Sequence, residues 1–165
     1  GLWYSPADRK HDGLALDLPA GANMGLSGLR FGPVASFWRR PGRERAHLGR
    51  LSRQVDFAAP RLHEPAAHFS GGNQQKVLLA KGLAQDIGVY VLDEPTVGVD
   101  IGARLAIYRC LAELSAAGAA ILLVSSDLPE LMGMTHRLLV MHHGRIVDAF
   151  DRADYDEHRI LARFF

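Results

Sequence analysis

The sequence predicts an α/β fold with a mainly helical subdomain in its first half. Three observations predict it. Strand-length apolar runs alternate with helix-length segments after residue 86. One of those runs, Val89-Tyr90-Val91-Leu92, is continuously apolar, as in a strand buried on both faces of a parallel sheet. Residues 14–85, by contrast, read as helices separated by proline-containing connections, with Pro19, Pro33, Pro41, Pro60 and Pro65 among them.

Each element follows in order. Leu2-Trp3-Tyr4 and its neighbours make residues 1–5 a strand, and residues 6–13 a polar turn ending at Gly13. Residues 21–30 read as a short helix, and Pro33 to Gly42 as a loop holding Trp38, Arg39, Arg40 and Pro41. Arg43 to Arg53 is a helix exposed on most faces, and Pro60 to Phe69 is a connection. Gln74 to Gln85 are good helix formers with apolar positions at Val77, Ala80 and Ala84. After the Val89–Leu92 strand come a helix over Ile101–Ala116, a strand over Ala119–Val124 and a short helix over Pro129–Met132. Two strands, Leu138–Met141 and Arg145–Ala149, meet at a His143-Gly144 turn. Asp151 to Phe165 is an amphipathic tail carrying Ile160, Leu161, Phe164 and Phe165. The organisation expected is one domain over residues 1–150, with a helical part at 14–85 and a sheet part at 86–150, then a tail at 151–165.

Composition narrows the function classes. The 165 residues are 48% hydrophobic and 22% charged, ordinary for one globular domain with a real core. A net charge of +1 gives no global field for nucleic acid, and none is expected as a partner. Cys110 is the single cysteine, so no internal disulfide is available; it reads as a small core residue in a reducing compartment. No signal peptide is read in these residues and no apolar stretch reaches the ~20 residues that span a bilayer, so the expectation is that a membrane role runs through a partner. The arginines at 39, 40, 43, 45, 50 and 53 read as a solvated face, or as a segment near acidic lipid heads. His142 and His143 are adjacent on a strand edge and should point to opposite faces, which makes them poor joint metal ligands. His63 and His68 are isolated, and Trp3, Tyr4 and Tyr90 read as core aromatics.

The chemistry concentrates in two short patterns. Ser70 is suited to cap a helix start, and Gly71 and Gly72 let backbone approach a ligand with no Cβ in the way. The helix that follows aims free N–H groups and its positive dipole end at an anion; the same residues also suit an ordinary loop-to-helix junction. Asp93 and Glu94 stand 23 and 24 residues after Ser70, at the C-terminal end of an apolar strand closed by Pro95. Ligands of open α/β sheets bind beyond the strand ends. Two carboxylates there can divide the work, one holding Mg²⁺ through water and one orienting an attacking water, or they form a solvated acidic turn.

Taken together, the motifs resemble those of ABC-type ATPases. Phe69-Ser70-Gly71-Gly72-Asn73-Gln74-Gln75-Lys76 is similar to the signature motif, Val91-Leu92-Asp93-Glu94-Pro95-Thr96 to the Walker B strand, and Val97-Gly98-Val99-Asp100 to the D-loop. Asn-Gln-Gln-Lys after the glycines, together with Gly-Val-Asp, resembles the ATP-binding subunits of sugar importers of the ribose, galactose and xylose type. Asp8-Arg9-Lys10-His11-Asp12-Gly13-Leu14 and Ile121–Glu130 match further stretches of the second of their two nucleotide-binding domains. Four ordered motifs are far more specific than one.

The resemblance implies a partial P-loop NTPase fold whose mainly parallel sheet has flanking helices. It implies ATP and Mg²⁺ as cofactors, with Ser70, Gly71, Gly72, Asn73 and Gln74 closing on nucleotide held by another nucleotide-binding domain. It makes Asp93 the Mg²⁺ residue, Glu94 the catalytic residue that orients water, and Asp100 the link between two nucleotide sites. It also implies transmembrane permease subunits as partners, a solute-binding protein indirectly, and a peripheral place at the cytoplasmic face of the inner membrane. The activity expected is ATP hydrolysis coupled to uptake of a monosaccharide or similar small solute.

Departures from the family pattern qualify that picture. None of the three lysines, Lys10, Lys76 and Lys81, follows a glycine, so no Gly-Lys-Ser/Thr grip for phosphate is present. With Gly1 opening directly on a strand, the expectation is the back part of a larger protein whose P-loop lies upstream or is lost, and whose isolated form is inactive. Ser126 stands where most of the family carries a γ-phosphate-contacting histidine, implying a weakened site on this side, and Ala7 replaces a glutamate at the Q-loop position. Two other readings remain open. A chromosome-maintenance or DNA-repair ATPase of the same superfamily would need a long heptad repeat before the signature, which the prolines in residues 14–69 interrupt. A truncated remnant without activity is the third; a translation-factor type usually has another pair in place of Gly98-Val99.

Overall fold

The computed structural model describes residues 1–26, 41–85 and 87–164 and divides the chain into two compact units, Gly1–Leu122 and Leu123–Phe165. Residues 33–40 of the expected loop, with Trp38, Arg39 and Arg40, residues 27–30 of the first expected helix, and Phe165 lie outside the described residues.

In the first unit, strands β1 (Leu2–Ser5) and β2 (Val89–Asp93) pair in parallel, with Leu2 opposite Val89, Tyr4 opposite Val91 and Ser5 opposite Leu92. β3 (Ala120–Val124) completes the order β1-β2-β3 and leads into the second unit. The parallel sheet is as expected, but burial on both faces is not. Tyr90 and Leu92 are buried, while Leu2, Tyr4 and Val89, on the opposite side, are 64%, 52% and 37% exposed. Tyr4 is therefore not a core aromatic. The reason is one-sided covering: α3 lies against Trp3, so closely that a methyl group on Gly82 would come 2.6 Å from the indole nitrogen.

The helical part precedes β2. Helices α1 (Ala20–Leu26), α2 (Pro41–Gln54) and α3 (Gly71–Leu83) pack on one another, with single 3₁₀ turns at Ala59–Arg61 and Ala66–His68 between the last two. α2 starts at Pro41, inside the expected loop, because proline suits the first helical position, where no N–H is needed. Arg45, Arg50 and Arg53 on α2 are exposed, whereas Leu51, Ser52 and Val55 are buried. α3 is surrounded by α1, α2, β1 and α4 (Ile101–Ala116), so every residue from Gln74 to Ala80 is buried.

The second unit folds α5 (Leu128–Met134), the antiparallel hairpin β4 (Arg137–His142) and β5 (Arg145–Asp151), and α6 (Glu157–Leu161) around Leu128, Leu138, Val140, Phe150 and Ile160. His143 and Gly144 take φ of +47° and +74°, the two left-handed positions that match a two-residue turn to strand twist. This corrects the reading of the histidine pair: His143 belongs to the turn, and its ring lies 4.0 Å from that of His142 instead of on the far face. The tail is divided, with Ile160 fully buried and Leu161 and Phe164 each 41% exposed.

Candidate functional site

Ser70 caps α3 as its residue type requires. Its φ of −58° and ψ of 159° are non-helical, and its hydroxyl accepts from the Asn73 backbone N–H at 3.5 Å and from the Asn73 amide at 3.4 Å. The Gln74 N–H donates to the Ser70 carbonyl at 2.9 Å. The N–H groups of Gly71 and Gly72 donate to nothing among the described residues, which leaves these two donors of the first turn unpaired there, although Gly72 itself is buried. Ser70 is exposed, and Gly71 and Asn73 are half-buried. Gln74 is the member of the set turned inward. It is 4% exposed and its amide donates to the Ala66 carbonyl at 3.1 Å, tying the helix start to the preceding turn.

The two glycines have a use that sequence reasoning missed. A Cβ on Gly71 would sit 2.6 Å from the Gly98 carbonyl oxygen and 2.5 Å from Arg9 Nη2. A Cβ on Gly72 would sit 2.6 Å from Ala103 Cβ and 2.7 Å from Asp100 Oδ2. Part of the space left by the missing side chains is thus filled by the chain's own 97–103 segment. Two consecutive turns build that segment, Val97 N–H to Glu94 O at 3.3 Å and Val99 N–H to Thr96 O at 3.2 Å, with Gly98 at φ +68°. Asp100 caps α4, its Oδ1 accepting from the Ala103 N–H at 2.9 Å. The structure therefore brings Ser70, Gly71 and Asp100 together, with buried Gly72 as the contact between the two helix starts.

Asp93 and Glu94 close β2. Both are half-buried. Asp93 accepts from the Tyr4 hydroxyl at 3.2 Å, and that hydrogen bond to a carboxylate pushes the Tyr4 phenol above its ordinary range. Parallel pairing of Tyr4 with Val91 puts the ring and the carboxylate on one side of the sheet, so only the register makes this contact legible. Glu94 has φ +47°, a left-handed conformation uncommon for a residue with a side chain. It lets the backbone turn sharply from the strand into buried Pro95 and Thr96.

The donor set bears on Mg²⁺. No three His, Cys, Asp or Glu side chains come together among the described residues. A cage made wholly of protein is therefore not offered there. A half-buried aspartate at a strand end fits the way Mg²⁺ is bound through one or two carboxylates, waters and substrate phosphates.

Known proteins resemble this chain in sequence and fold. The family model described as ABC transporter matches residues 34–97. The chain is 46% identical to the ribose import ATP-binding protein of Rhodopirellula baltica, over 98% of its own length and 31% of that protein's. It is 43% identical to the arabinose import ATP-binding protein of Rhizobium meliloti, over 98% of this chain and 32% of the relative. Among solved structures, an ATP-binding subunit of an ABC transporter superposes with a TM-score of 0.72 at 25% identity, covering 93% of this chain and 60% of that one. A dimeric ATP-binding cassette in a post-hydrolysis state, bound to ADP and Pi, gives 0.77 at 18% identity, covering 92% and 62%; at that identity the likeness concerns the fold.

Proposed function

Because the chain belongs to the ABC transporter family of ATP-binding proteins, we propose that it works as part of the ATP-hydrolysing subunit of an importer for a monosaccharide or similar small solute. The chain spans about a third of the length of the curated relatives it matches, 31% and 32% of the two cited. Their sugar-import names favour this reading over the chromosome-maintenance alternative. No helix among the described residues is long and apolar enough to cross a membrane, which fits docking onto transmembrane permease subunits at the inner face of the membrane.

The observation that carries the proposal is the start of α3, where the half-buried Gly71 amide has no partner among the described residues and lies beside the exposed Ser70 hydroxyl, with Gly72 packed behind it. That surface suits the terminal phosphates of ATP presented by another nucleotide-binding domain. Asn73 borders it, and Gln74 holds it from behind through Ala66. Val97, Ile101 and Leu105 are 51%, 80% and 53% exposed around the same turn, an apolar border suited to a docking lobe. Asp93 is the residue to hold Mg²⁺ through water, a bound ion supplying charge neutralisation at the phosphates. Glu94 orients the attacking water and Asp100 fixes the turn between the two nucleotide sites. Tighter binding of ATP to the closed pair than to the open one drives the cycle.

Ser70→Asp tests this. Aspartate caps a helix as well as serine does, but its charge repels phosphate. Hydrolysis by the assembled transporter is expected to fall by about tenfold or more with the melting temperature unchanged. Unchanged hydrolysis overturns the proposal. The 165-residue chain alone, with no Gly-Lys-Ser/Thr sequence, is expected to hydrolyse ATP negligibly. Robust turnover by that chain, abolished in Glu94→Gln, contradicts this.

A further inference from the structure

Arg9 meets both halves of the nucleotide-facing surface at once. It lies in the turn Arg9–Gly13 after β1, which Asp8 caps by accepting from the Lys10 and His11 N–H groups at 3.0 and 3.1 Å. The Arg9 carbonyl accepts from the Leu14 N–H at 2.9 Å. The side chain leaves this anchored turn and donates through Nη1 to the Val97 carbonyl at 2.9 Å. Its Nη2 fills the place a Cβ would occupy on Gly71, 2.5 Å from that position, and stands 3.4 Å from the corresponding position on Gly98. The Nε is buried with no hydrogen-bond partner.

Physical cost marks this contact as more than incidental. A cation beside the start of a helix faces the positive end of its dipole. Burying Nε unpartnered adds a desolvation penalty. Its rigid planar fork spans a carbonyl on one turn and the open side of a glycine on another. Resting on the proposed nucleotide role of Ser70–Gly72, we propose that Arg9 is a positioning residue for that site: it locks the Gly71 helix start to the Val97-Gly98 turn and ties both to the segment after β1. Displacement of residues 8–13 is thereby felt where phosphate binds, without Arg9 touching nucleotide.

The test uses the assembled transporter. Arg9→Gln should lower kcat for ATP hydrolysis by about tenfold or more, since misplacing a site by an ångström is costly. KM for ATP should stay within about twofold, because the nucleotide is first held by the other domain and only closure uses this face. Arg9→Lys keeps one donor for the Val97 carbonyl and should recover part of the lost kcat. Hydrogen exchange on the chain itself gives a second readout. In Arg9→Gln, amides of residues 71–73 and 97–99 should exchange faster while those of 106–116 in α4 keep their rates. Unchanged kcat, a raised KM at full kcat, or faster exchange spread over the whole first unit overturns the proposal. Ser70→Asp separates the two claims. If it abolishes hydrolysis and Arg9→Gln does not, the Arg9 role alone falls; if Ser70→Asp is also silent, the nucleotide reading falls and takes this inference with it.

Discussion

A methyl group at Gly72 would meet the Ala103 side chain at 2.6 Å and the Asp100 carboxylate at 2.7 Å. Both neighbours belong to the start of α4, so Gly72→Ala must push two helix starts apart. The expected cost is about 1–3 kcal/mol, read by denaturant unfolding. Asp100→Ala loses the α4 cap and should cost about 1 kcal/mol. The pair should be non-additive, because removing the carboxylate vacates space the new methyl needs. Cys110 supplies a pH prediction. Burial, with Glu113 as a lesser cause, pushes its thiol from an ordinary value near 9 up to about 12. The unfolded thiol ionises first, so this group's contribution to stability is intact below pH 9 and declines through the window from 9 to 12. Alkylation at pH 8 should therefore track unfolding and not proceed on the native chain. The capping role of Ser70 and the burial of Cys110 were legible in the sequence, since each follows from residue type and local pattern. The Tyr4–Asp93 and Arg9–Val97 contacts were not, for they depend on a strand register and a turn path linking residues 89 and 88 positions apart.

At the scale of elements, local chemistry set most boundaries. α4 spans Ile101–Ala116 as the pattern predicts, because Asp100 caps one end and Gly118, at φ +95°, follows the other. α3 begins three residues before the expected helix body, since the serine cap lets both glycines enter the first turn. Pro41 extends α2 backwards for the reason given above. The β4–β5 hairpin rests on its turn: Gly144→Ala places a side chain at φ +74° and should cost about 1–2 kcal/mol. The loss should appear as a lowered unfolding midpoint, followed by probes on Phe150 or Tyr155.

For the whole molecule, the family-level fold was readable because four motifs fall in order along one chain. One-sided burial of the sheet was not, since an apolar strand reads alike whether one face or two are covered. Parallel sheets ordinarily carry helices on both faces. Here Leu2, Tyr4 and Val89 face outward from β1 and β2, and Leu122 on β3 is 53% exposed. The isolated chain should bind a hydrophobic dye such as ANS and self-associate as concentration rises. Leu2→Lys with Leu122→Lys should reduce both without lowering the melting temperature; unchanged dye binding places the sticky surface elsewhere.

The twisted backbone at Glu94 has an evolutionary edge. At φ +47°, glycine would sit there without the steric penalty of a side chain, a gain of roughly 1 kcal/mol before its own entropy loss. A screen for heat resistance should accordingly enrich Glu94→Gly, while a screen for the proposed ATP-driven uptake should purge it. Thermal robustness and turnover would then compete for a single codon.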